Sequence, residues 1–484
     1  MAGIGFELKR LFHKKSALSY FRAYFYTMIV TVGPFVMLTG LILFTQQVLK
    51  PQVSYAGLEL YVMSIVYPFI FSQIIASGFA MLITRFISDR IYAEEYEQIV
   101  PSLLGITAFT FPVASLLALW FFWDKPLALE LKLVTYILYM ELIFVWIQGV
   151  YLSALKDYLR IVKSYFYGIA AAVAFFFLFL HTGFFTDKVF GALLAMDIGF
   201  FLMALCLMLQ IRAFFPAGSS SFFSFLPYLD THLSIFSVNF FYTAALYIPN
   251  IIIWQGPWGV TIAGTYIYAP IYDVATFFAF LSILPTAVVF VVFTEVAFYP
   301  KYTNYVTMIV GKGNYQEIED ARKNMSHVLW SQVCHIVELQ LVFALIFLAL
   351  GNFILTRVGL SYASINVYNL IVLGAFANGI LQVVIILLLY LEDRRGALYG
   401  TAFFLAANTS FNLLSLYFGE NTYGFGFFAA AFLSLVVTLL RLNYYMEKID
   451  YYIYCTMPVF NNIKPGIFTK IKNAAERTLG GSRP

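Results

Sequence analysis

Runs of about 20 apolar residues recur along nearly the whole chain, and nothing else constrains its fold as strongly. Crossing a hydrocarbon core of roughly 30 Å takes about 20 predominantly apolar residues in a helix. No water is available there, so each segment must satisfy its own peptide N–H and C=O groups, which favours helices. Twelve such spans lie near 22–48, 57–85, 99–122, 130–154, 162–182, 189–212, 232–254, 266–295, 328–351, 366–391, 397–418 and 423–446. Charged residues make up 11%, against about 25% in soluble domains. A β-barrel would show alternating segments of roughly ten residues, and the sequence has none. The expected fold class is all-α and polytopic, with 12 transmembrane helices. Connections are short except near 296–327, which leaves no room for a soluble catalytic domain.

Orientation follows from the basic residues. With the N-terminus inside the cell, all of the 29 Lys and Arg face the cytoplasm except Lys50, Lys125, Lys132, Lys188 and Arg357. One misplaced span would scramble that asymmetry. Both termini are therefore expected in the cytoplasm.

The even count invites a six-plus-six repeat. At an offset of 210 residues Thr84 meets Thr294, Tyr92 meets Tyr302, and Ile99-Val100 meets Ile309-Val310. The expected organisation is a cytoplasmic amphipathic segment (1–21), a first six-helix bundle (22–212), a cytoplasmic linker (213–231), a second bundle (232–446) and a cytoplasmic tail (447–484). In the first segment Ile4, Phe6, Leu8, Leu11 and Phe12 alternate with Glu7, Lys9, Arg10, Lys14 and Lys15. That pattern suits a short helix on the membrane surface rather than a cleaved signal. Ala2 rules out the myristoylation pattern. The segment reads as a topology anchor or as a docking element for a cytoplasmic partner.

Ionisable groups at membrane depth usually face a cavity or a partner. Glu141, Asp197, Asp273 and Glu338 are the clearest cases, with amides such as Gln73, Gln148, Asn239 and Asn250 beside them. Each amide is also a candidate for a simple interhelical bond. Prolines gather in the first two spans of each half, including Pro34, Pro68, Pro249, Pro270 and Pro285, and kink helices there. The eighth span carries Tyr266, Tyr268, Tyr272 and Asp273 on its outer third. Tyr268 and Tyr272 read as cavity groups able to stack on sugar faces and donate hydrogen bonds. Candidate substrate-path residues are thus Gln73, Asn239, Tyr268, Tyr272 and Asp273. Arg85 and Glu295 hold matching positions in the two halves with opposite charge, and are candidates for a cytoplasmic gate. The three cysteines show no disulfide framework or metal-ligand spacing. No phosphate loop, triad or metal site is evident, so neither an enzyme, a cofactor nor a metal is expected.

MAGIGFELKRL (1–11), the eighth-span block LPTAVVFVVFTEVAFYPKY (284–302) with its following Tyr305, and EDRRGAL (392–398) occur together. In these features and in its length and span count the chain resembles the Pel exopolysaccharide transporter family, within the multidrug/oligosaccharidyl-lipid/polysaccharide exporter superfamily. The resemblance implies two six-helix bundles related by a pseudo-two-fold axis along the membrane normal, with spans 1, 2, 7 and 8 lining a cavity. It implies export of an N-acetylgalactosamine-rich polymer during biofilm formation, across the bacterial inner membrane. The implied partners are a cytoplasmic glycosyltransferase and a cyclic-di-GMP receptor, and no nucleic acid. Glu392, Asp393, Arg394 and Arg395 then become candidates for docking the glycosyltransferase, or simple positive-inside anchors. The competing readings are a flippase for lipid-linked oligosaccharide, a cation-coupled antiporter using Asp273 or Glu141, and a scaffold for the synthase.

Overall fold

The computed structural model describes residues 17–153, 158–215, 222–311, 313–455 and 466–479. The proposed surface helix within 1–21 falls outside these residues up to position 16, as does 216–221 of the expected linker. Among the described residues, ten helical segments are long and apolar enough to cross a membrane, or eleven with one bent pair counted as a span.

The bent pair is the expected first span. Helix α1 (Ala17–Thr31) and α2 (Gly33–Leu49) meet at an angle of 57°. Pro34 has no N–H to donate one turn back, so the ladder breaks there. Then follow α3 (Tyr55–Tyr92), α4 (Ile99–Phe122), α5 (Leu129–Ser153), α6 (Tyr158–Thr182), α7 (Lys188–Phe214) and α8 (Leu226–Trp254). Helix α3 has 38 residues, about 57 Å at 1.5 Å per residue, so it continues well past a bilayer core.

The eighth span departs from expectation. Tyr266 and Tyr268 are not helical. They belong to a hairpin of β1 (Val260–Ile262) and β2 (Tyr266–Tyr268), paired antiparallel with Val260 opposite Tyr268. Its turn holds Ala263 and Gly264 at φ 49° and 62°, and the Thr265 N–H donates to the Ile262 carbonyl at 2.9 Å. The helix begins only at Pro270, whose missing N–H costs nothing in a first turn. It then runs as α9 (Pro270–Phe280), a 3₁₀ turn, α10 (Leu284–Val292), a π-helical turn at Phe293–Phe298 and α11 (Tyr299–Val310).

The longest expected connection is also mostly helix. Helix α12 (Tyr315–Val358) starts far ahead of the expected span at 328. Asn314 caps it by accepting from the Glu317 N–H, and the Glu317 carboxylate accepts from the Asn314 N–H, a reciprocal pair that fixes a helix start. After α13 (Tyr362–Tyr390), helix α14 (Arg394–Phe418) fills the eleventh expected position. Thr, Asn, Ser and Gly keep it outside the apolar group above. Helices α15 (Phe425–Glu447), α16 (Ile449–Cys455) and α17 (Ile467–Leu479) complete the described chain.

Two compact units divide these elements. One contains Pro34–Tyr247, Val260–Tyr268 and Val459–Pro484; the other contains Met1–Gly33, Ile248–Gly259 and Ala269–Pro458. In the first unit α6 packs on α7, and α5 packs on α3 and α7. Small residues permit the α6–α7 approach: a Cβ added at Gly199 would lie 2.5 Å from the Ala172 Cβ, the close backbone contact typical of membrane helices. In the second unit α15 packs on α13 and α14, and α1 packs on α10.

Candidate functional site

In the first unit the polar candidates are neutral and lie on α3 and α8. Gln73 is exposed, and its amide oxygen accepts a hydrogen bond from the Tyr247 hydroxyl. Asn239 is half-buried and donates from Nδ2 to the Ser77 carbonyl at 2.6 Å. One turn carries both acceptors, since Gln73 and Ser77 stand four residues apart on α3.

The hairpin packs against the same helix. The Tyr67 hydroxyl donates to the Ile267 carbonyl at 2.6 Å and accepts from the Ile267 N–H at 2.9 Å. Its ring meets Tyr266 edge-on at 5.0 Å. Tyr268 is buried, and its hydroxyl donates to the Glu59 carboxylate. Sequence reasoning missed Glu59, Tyr67 and Tyr247, because each finds its partner far along the chain.

In the second unit Asp273 is heavily bonded. It accepts from Asn250 Nδ2 at 2.7 Å, from Trp254 Nε1 at 2.8 Å and from the Ala269 N–H at 3.0 Å. These donors flank the excursion between α8 and α9, so the carboxylate clasps the ends of two helices. Tyr272 is 1% exposed and packs inward beside it. Glu295 is also buried, on the π-helical turn. Arg85, in the first unit, pairs with Asp89 one turn away at 3.4 Å and is substantially exposed. Glu338 stands 76% exposed on α12, 3.7 Å from His335 one turn earlier.

The EDRR turn resolves into distinct roles. Asp393 is buried, caps α14 by accepting from the Gly396 N–H at 3.0 Å, and binds Arg441 with both oxygens. Glu392 binds Arg394 at 2.7 Å. Arg395 is exposed. Among the described residues no group of three or more His, Cys, Asp or Glu side chains is arranged to hold a metal.

The helical order and packing define an all-α, polytopic membrane fold. The chain is similar to the MATE transporter ClbM, solved in complex with Rb⁺, with TM-score 0.58, 13% identity, and coverage of 88% of this chain and 96% of that one. It is similar to an outward-facing multidrug resistance MATE transporter of the MOP superfamily, at TM-score 0.52, 14% identity and the same coverages. A MOP superfamily transporter from Pyrococcus furiosus gives TM-score 0.52 and 13% identity, again with 88% and 96% covered. At such identities the likeness defines the fold alone. Residues 1–454 match the model of the PelG family, described as "Putative exopolysaccharide Exporter (EPS-E)", and the chain belongs to that family. It is a multi-pass membrane transporter of the exopolysaccharide-exporter family rather than an enzyme. No curated protein sequence matches it.

Proposed function

We propose that this protein moves a growing, N-acetylgalactosamine-rich exopolysaccharide across the bacterial inner membrane as a cytoplasmic glycosyltransferase extends it, with both termini in the cytoplasm. The family match over residues 1–454 carries this reading. The chemistry of the polar groups supports it: Gln73, Tyr247 and Asn239 are neutral donors and acceptors, suited to an uncharged sugar chain. Exposed Gln73 carries the most weight among the substrate-path candidates, followed by Asn239. Tyr268 contributes through its bond to Glu59 in the first unit, and in the second unit Asp273 contributes through its three bonds, with Tyr272 packed beside it. On the cytoplasmic side, exposed Arg395 with the Glu392–Arg394 pair offers a docking point for the glycosyltransferase, in an assembly with a cyclic-di-GMP receptor.

Inside-out vesicles carrying this protein and the glycosyltransferase test the proposal. With nucleotide sugar supplied outside, the polymer becomes protected from an added glycosidase only when this chain is present. Polymer that stays digestible beside an active synthase would refute export by this protein.

A further inference from the structure

Helices α5 and α7 carry a second polar cluster that the proposed sugar path does not use. Gln148 on α5 donates to the Ala204 carbonyl on α7 at 3.0 Å, which sets their register. Two turns earlier on both helices, the same register aligns Glu141 with Asp197. Asp197 is 4% exposed. Both of its oxygens and Oε2 of Glu141 are buried without a hydrogen-bond partner.

Glu141 lines a cavity of about 300 Å³ whose other walls include Phe111, Tyr136, Met140, Phe144 and Phe201. Tyr136 is the other titratable group on that wall. Across α3, α4, α6 and α7, charged side chains other than Asp197 sit in the end turns of the helices. On α5 the remaining charges are Glu130 and Lys132, in the first turn. No basic residue among those described therefore faces the pair.

Two adjacent carboxylates in so apolar a setting do not both remain ionised, because each charge is desolvated and repels the other. A positive charge must join them. A sodium ion needs several oxygen ligands, and the walls of the cavity supply almost none; a proton needs one oxygen and removes one of the two charges. We infer that Glu141 and Asp197 form an exchangeable proton site within the first unit, opening on an apolar cavity. The pair titrates as one unit: it holds one proton over its two carboxylates and releases it as the pH rises. This goes beyond sugar export and does not depend on it.

The test uses the purified full-length protein and dicyclohexylcarbodiimide, an apolar reagent that modifies protonated carboxyls buried in membranes. The acid O–H adds across the carbodiimide, and the adduct rearranges to a stable N-acylurea, read by peptide mass. Glu141 is expected to label at acidic pH, and labelling falls roughly tenfold per pH unit once the proton is lost. Asp197→Asn removes the neighbouring charge and moves that profile toward acid. Glu141→Gln abolishes the label at that peptide. Replacing choline chloride with sodium chloride leaves the wild-type profile unchanged. No label at Glu141 at acidic pH, a profile that Asp197→Asn leaves in place, or protection by sodium would each overturn the proton site. The sodium and pH series on the wild-type chain decide the matter even where Asp197→Asn folds poorly.

Discussion

Asp393, at the start of α14, accepts from Arg441 Nε at 2.7 Å and from Arg441 Nη2 at 3.0 Å. The two residues stand at the ends of helices that pack together, so one bidentate ion pair ties α15 to the α14 cap. Asp393 is 5% exposed. Removing Arg441 would leave a buried carboxylate with its charge unmatched, at a cost of about 3–5 kcal/mol. Arg441→Gln is expected to lower the unfolding temperature of the purified protein, and Arg441→Lys to restore only part of it, since a lysine cannot bind both oxygens in a plane. Equal melting curves for all three proteins would rule out this role.

Asp273 offers a way to separate structure from transport. Asp273→Ala removes the acceptor for Asn250, Trp254 and the Ala269 N–H, and stranding buried donors costs about 1–3 kcal/mol each. Asp273→Asn keeps one acceptor oxygen and should retain more stability. Thermal unfolding and polymer protection measured on the same preparations check this. If export falls only in step with stability, Asp273 is a clasp; a stable Asp273→Asn protein without export would make it part of the path.

The α6–α7 crossing has no space for a side chain at Gly199. Gly199→Leu would drive atoms into Ala172 and the Gly168 carbonyl, and overpacking of this kind costs about 1–3 kcal/mol. Size-exclusion profiles in detergent should show loss of the monodisperse peak. A substitution on the same helix at exposed Phe201 should leave it intact.

Asp230 on α8 accepts from the Phe468 N–H at 3.1 Å, the Thr469 N–H at 2.8 Å and the Thr469 hydroxyl at 2.6 Å. It thereby caps α17 from 239 residues away. Losing such a cap costs roughly 1 kcal/mol. Asp230→Ala should speed tryptic cleavage at Lys470 and Lys472 several-fold. An unchanged cleavage rate would show that α17 is held by other contacts.

Tyr67→Phe keeps the ring against Tyr266 but deletes both bonds to Ile267. Hydrogen exchange at the Ile267 amide should accelerate by roughly tenfold, the equivalent of about 1.4 kcal/mol, while the rest of α3 stays protected. Acceleration along all of α3 would mean that the hydroxyl stabilises the helix rather than the hairpin.

Apolar length and the absence of water made the spanning helices legible before any fold was known: the windows 130–154 and 366–391 became α5 (Leu129–Ser153) and α13 (Tyr362–Tyr390). The same windows could not foresee the hairpin at 260–268, because Tyr, Ile and Val are as apolar in a strand as in a helix. Nor did they foresee the helical start of α12, whose charged residues look like a loop until Asn314 and Glu317 are recognised as a cap. Among the candidate residues, the sequence alone determined which side chains were unusual for a membrane: Asp273, Asp197, Glu141 and Glu338 stand out by type and depth. Only the tertiary structure decided what each one meets. Asp273 finds Asn250 and Trp254, Glu338 stands exposed beside His335, and Asp197 lies level with Glu141 in the register that the Gln148 bond sets. A helix's own sequence sets its hydrogen bonds and its apolar length, whereas the partner of a buried charge depends on which helix packs beside it and in what register.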